Sequence, residues 1–131
     1  MKKTIEIMPD LEGRKIVIIN DIRFKGKRNV NWEGVEKYLK EYVGRCYEIV
    51  DTSDKVFIGA DFPSELKGSS DTKRLFGANA KAKANATQGI PVLLQCAVNK
   101  RWQENVKEKH NKDAKFGWYR FTTRFALPIY Y

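Results

Sequence analysis

A chain of 131 residues has room for one domain and little else. Its 42% hydrophobic and 12% aromatic content excludes a disordered basic tail, and no apolar run comes near the ~20 residues that cross a bilayer. The net charge of +9 is lopsided, with +1 carried by residues 1–70 and +8 by residues 71–131.

In chain order, the first 13 residues read as an arm or an added strand. Met1-Lys2-Lys3-Thr4 does not open a signal peptide, because Glu6 and Asp10 interrupt any apolar stretch. The β-branched run Lys15–Ile19 predicts a strand. Asp21 to Lys27 alternates apolar and charged residues and closes in a basic turn at Gly26.

Asn31 is a good N-cap, and Trp32, Val35, Leu39, Tyr42 and Val43 fall on one face of a helix that Gly44 stops. Glu33–Lys37 and Glu36–Lys40 are spaced as i,i+4 pairs on its solvent side. Strands over 46–50 and 55–59 follow around the polar spacer 51–54, which predicts a hairpin. Asp51 and Asp54 are turn formers there, not an acid–base pair.

Pro63 and the Gly and Ser residues over 61–70 predict a loop. Ser70 or Asp71 then caps a helix over 72–88, favoured by Ala78, Ala80, Ala82, Ala84 and Ala86 and ended by Gly89. Pro91 opens a further helix whose apolar face, Ile90, Leu93, Leu94, Ala97, Val98 and Trp102, extends the prediction to about Lys109. A polar connector covers 111–115. Residues 116–131 read as strand, with Tyr119, Phe121, Thr123, Phe125 and Leu127 on a core face and Trp118, Arg120, Thr122, Arg124 and Ala126 on the other. The sum is a single α+β domain over 1–131: a small antiparallel sheet, about three helices and an aromatic-rich C-terminal strand.

Cys46 and Cys96, with no CxxC spacing and one histidine in the chain, argue against a disulfide framework and a zinc site. No Walker loop, GxGxxG, HExxH or GxSxG is present, so no metal and no cofactor is expected. The composition fits a soluble protein in a reducing cytoplasm, without a membrane partner.

The basic half favours an acidic partner, and nucleic acid is the commonest. The binding residues expected are Lys100, Arg101, Lys107, Lys112, Lys115, Trp118, Arg120 and Arg124. Trp118 beside Arg120 is suited to stacking on a base. An acidic protein patch would satisfy the same electrostatics, which gives a purely protein-binding module as one alternative. A second alternative is a metal-independent ribonuclease, with His110 as base or acid and Lys115, Arg120 and Arg124 holding phosphate charge. Tyr119 could donate a proton, but strand alternation puts it on the opposite face from Arg120. The bland reading of His110, a residue of a polar turn between Lys109 and Asn111, weighs against catalysis.

The blocks DIRFKGKRNVNW (21–32), VFIGADFP (56–63), AKAKANATQGIP (80–91) and DAKFGWYRF (113–121) resemble the large polyvalent protein-associated domain family of phages and conjugative elements. The resemblance spans about residues 20–131, and the last two blocks are its most specific part. It implies a mobile-element accessory protein acting against host defences in a bacterial cell. Neighbouring domains in such proteins resemble the barnase and colicin nuclease fold, which cuts RNA without metal. Members of the family continue with two further strands after the block at 124–128, so a chain ending at Tyr131 reads as a short form. That favours binding over catalysis: the expected partners are RNA, DNA or a ribonucleoprotein such as a CRISPR effector, with an anti-CRISPR type of inhibition as one form of the activity.

Overall fold

A computed structural model describes residues 4–25, 29–104 and 117–127. Strand β1 (Ile5–Pro9) turns back into β2 (Lys15–Ile19). The segment read as an arm or a strand is therefore a strand, antiparallel to β2 with Ile7 opposite Val17. Asp10 builds the turn: its carboxylate accepts the backbone N–H groups of Glu12 and Arg14, both at 2.8 Å. Strand β7 (Phe125–Ala126) lies parallel to β2 on the other side. β2 is thus central, and Val17 and Ile19 are fully buried.

Helix α1 (Trp32–Leu39) forms as its sequence predicts. The Asn31 side chain accepts the Gly34 N–H at 3.3 Å, and a 3-10 turn (Lys40–Tyr42) carries the chain to Gly44, whose φ of +86° ends the helical run. The predicted i,i+4 ion pairs do not form; Glu36 instead reaches Lys67 at 3.2 Å. Strands β3 (Cys46–Ile49) and β4 (Asp54–Phe57) make the expected hairpin.

Three predicted elements between residues 61 and 109 are corrected. The loop over 61–70 is mostly helix α2 (Phe62–Gly68), because Pro63 is compatible with a first helical turn and Phe62 and Leu66, four apart, both pack on the core. The helix over 72–88 is two helices, α3 (Ser70–Arg74) and α4 (Gly77–Ala86). Leu75 and Phe76 are extended and Gly77 has φ +62°, which breaks the helical path. Ser69, one residue before the expected caps, accepts the Thr72 N–H. Finally, α5 (Ile90–Gln95) is short, and residues expected to continue it form strand β5 (Val98–Glu104), paired with β6 (Gly117–Thr122). The apolar spacing from Ile90 to Leu94 is helical, but Asn99 at φ +58° cannot sit inside a helix.

The α+β class holds. The strands do not join one sheet, however: they make a three-stranded sheet β1-β2-β7 and two separate pairs, β3-β4 and β5-β6. Helix α4 passes between two apolar clusters. Ala84 belongs to the cluster of Val35, Leu39, Tyr42 and Ile58, and Ala86 to that of Val17 and Ile19.

Candidate nucleic-acid interface

The β5–β6 pair is a two-stranded ribbon with every residue of β5 exposed. Its register sets Arg101 opposite Arg120, Trp102 opposite Tyr119, Gln103 opposite Trp118 and Glu104 opposite Gly117. Cross-strand partners share a face and neighbours along a strand alternate. One face therefore carries Arg101, Gln103, Trp118 and Arg120. The other carries Trp102, Glu104, Tyr119 and Phe121. On the first face the Arg120 guanidinium carbon lies 5.9 Å from the Trp118 ring centre.

The second face faces the body at one end. Trp102 and Tyr119 meet edge to face at 5.0 Å, and the Lys100 ammonium sits 4.2 Å above the Tyr119 ring. Lys100 also binds Asp54 on β4 at 2.8 Å, which straps the ribbon to the hairpin. The Lys100 hydrogen bond, with a second from the Thr52 hydroxyl, holds the Asp54 carboxyl below its usual range despite some desolvation. A register irregularity between Val98 and Arg101, beside the left-handed Asn99, lies directly before this contact. Further in, Phe121 lines an apolar groove of about 350 Å³ with Phe57, Phe62, Leu93 and Leu94.

Arg124 lies between β6 and β7, not on the β6 strand face where alternation placed it. The strand read over 116–131 breaks at Thr123 and Arg124, so its alternation does not continue. Arg124 instead binds the carboxylate of Asp10 at 2.6 Å, which Arg14 also contacts at 3.0 Å. Desolvation pushes the Asp10 carboxyl up, but the N–H donors of Arg14 and Glu12 and the Arg14 guanidinium outweigh it and leave it below its usual range. Arg14 and Arg124 border a cleft of about 370 Å³ that also takes in Lys15, Cys96, Asn99 and Thr122.

Of the residues singled out from sequence, the ribbon brings together Arg101, Trp118 and Arg120 on one face and turns Lys100 to the other. Tyr119 lies opposite Arg120 in facing, as alternation predicts, but it is not core: it is 55% exposed, and its partner Trp102 is 50% exposed. Lys107, His110, Lys112 and Lys115 lie outside the described residues. Sequence reasoning missed Gln103 and the Asp54 and Asp10 straps. Reading 90–109 as helix put Gln103 off any shared face with Trp118, and no local signal marks an aspartate that binds a lysine 46 residues on.

Among the described residues, no group of three or more His, Cys, Asp or Glu could hold a metal ion. No described helix is long and apolar enough to cross a membrane. Comparison with protein-family models, curated proteins and solved structures gave no match.

Proposed function

We propose that this protein binds nucleic acid through the face of the β5–β6 ribbon that carries Arg101, Gln103, Trp118 and Arg120. The observation that carries the reading is the register that sets Arg101 against Arg120 with Trp118 and Gln103 beside them. Arginine forks match phosphate oxygens, an indole offers a stacking surface and a glutamine amide can reach a base edge. The +8 of residues 71–131 supplies long-range attraction to the same partner. The family resemblance adds the setting: an accessory protein of a phage or conjugative element in a bacterial cytoplasm. Its target there is RNA, DNA or a host defence ribonucleoprotein such as a CRISPR effector.

A gel-shift titration with a labelled single-stranded RNA and a DNA duplex, over about 50 to 300 mM salt, tests this. Binding that weakens steeply with salt is expected. No shift at the lowest salt would leave an acidic protein as partner. RNA incubated with the protein in EDTA is expected to stay intact. Cleavage that disappears in His110→Ala would replace binding with metal-independent ribonuclease action.

A further inference from the structure

We infer that Arg101 and Arg120 form a bridging site for one phosphate group, and that their mutual repulsion holds the empty ribbon below its full stability. The inference rests on the nucleic-acid reading of the ribbon and names the group it grips. Directly opposed residues of an antiparallel pair have Cβ atoms about 4.5–5.5 Å apart, and like charges there are destabilising. The two arginines occupy such positions.

The neighbouring cations are treated differently. Lys100 has Asp54 at 2.8 Å and Arg124 has Asp10 at 2.6 Å. Among the described residues, neither Arg101 nor Arg120 has a carboxylate partner, and their face carries no acid. Glu104, the acidic residue of β5, alternates to the other face. Two arginines opposed across adjacent strands can each offer parallel N–H donors to a tetrahedral oxyanion. The packing of Arg120 on Trp118 limits the freedom of one of them. A phosphate placed between the pair supplies a counter-charge. It can be a phosphodiester of a nucleic acid or a free phosphate, and both present the same oxygens.

The test is thermal melting of the whole chain in sodium phosphate, and in sodium pyrophosphate, against sodium chloride of equal ionic strength. The wild-type protein is expected to melt about 3 °C higher in the phosphate buffers. Arg101→Gln and Arg120→Gln should each lose that rise, and each should melt higher than wild type in chloride alone. Lys55→Gln, which removes an exposed charge from the β3–β4 hairpin, should keep it. A rise that survives in both arginine variants, or one that Lys55→Gln also abolishes, overturns the site. Equal melting in phosphate and chloride overturns it too.

A single-stranded 12-mer separates this inference from the reading beneath it. Oligonucleotide binding without a phosphate-specific rise removes the bridging site and leaves the nucleic-acid interface. A phosphate-specific rise lost in both arginine variants, with no oligonucleotide bound at low salt, keeps the site and removes nucleic acid as its source.

Discussion

Asn85 is fully buried, and its amide is satisfied on both sides. Its Oδ1 accepts the Phe24 N–H at 2.9 Å, and its Nδ2 donates to the carbonyls of Phe24 and Lys81 at 3.1 and 2.8 Å. Gln88 adds a bond to the carbonyl of Asp21 at 2.9 Å. Two side-chain amides of α4 and the turn after it thus act as a strand edge for the segment leaving β2. This gives a structural reason for residues 85–88. Asn85→Ala leaves both Phe24 backbone groups without these partners and is expected to cost about 2–3 kcal/mol in urea unfolding. Full retention of stability would show that water replaces the amide. Gly117 is the other decisive residue. It has φ +150°, and a Cβ there would lie well inside contact distance of the Gln103 carbonyl oxygen and the Trp102 ring. Because the obstacle is backbone, Gly117→Ala should strain the ribbon by about 1–3 kcal/mol. Hydrogen exchange should quicken at Arg101 and Gln103 and stay unchanged in α1.

At the scale of elements, small side chains explain α4. Its alanines were legible as helix formers, but the burial of Ala84 and Ala86 reflects tight passage between two clusters. Ala84→Leu should overpack the first cluster and cost about 1–3 kcal/mol, whereas Ala78→Leu on the exposed side should stay within about 0.5 kcal/mol. The ribbon depends on a different kind of contact, the strap between Lys100 and Asp54. The folded Asp54 carboxyl titrates below its ordinary value of 3.8. Its contribution is therefore complete above that value and is lost as pH falls through the lower, folded one. Asp54→Asn removes this component. Its melting temperature should fall less steeply than that of wild type between about pH 4 and about pH 2. Parallel curves would mean that the strap does not couple to stability. Helix α1 and the β3–β4 hairpin were readable because each carries its own start and stop: Asn31, Gly44 and the spacer 51–54. The ribbon was not, since Val98 and Trp102 fit a helical spacing as well as a strand.

For the whole molecule, the asymmetric charge takes on a narrower meaning. Lys83, Lys100 and Arg124, all in the basic half, are matched by Asp71, Asp54 and Asp10. These positive charges fasten elements together. The pair on the ribbon is left to face outward. Arg101→Gln and Arg120→Gln should each reduce the salt slope of nucleic-acid binding by about 1, while Arg124→Gln should lower stability and leave the slope nearly unchanged. An Arg124→Gln slope as reduced as that of Arg120→Gln would extend the interface to the cleft beside β7. Composition, the division of charge along the chain, and the elements with local caps and turns were determined by sequence alone, because their causes lie within a few residues of one another. The partners of β5, β6 and β7 were decided only by the tertiary structure. A strand has no hydrogen bonds of its own, and its neighbour is set by pairing across long stretches of chain. For the same reason sequence could name Arg101, Trp118 and Arg120 as basic and aromatic candidates, but only the antiparallel register of β5 and β6 could put them on one face, and only the parallel pairing of β7 with β2 could bring Arg124 to Asp10.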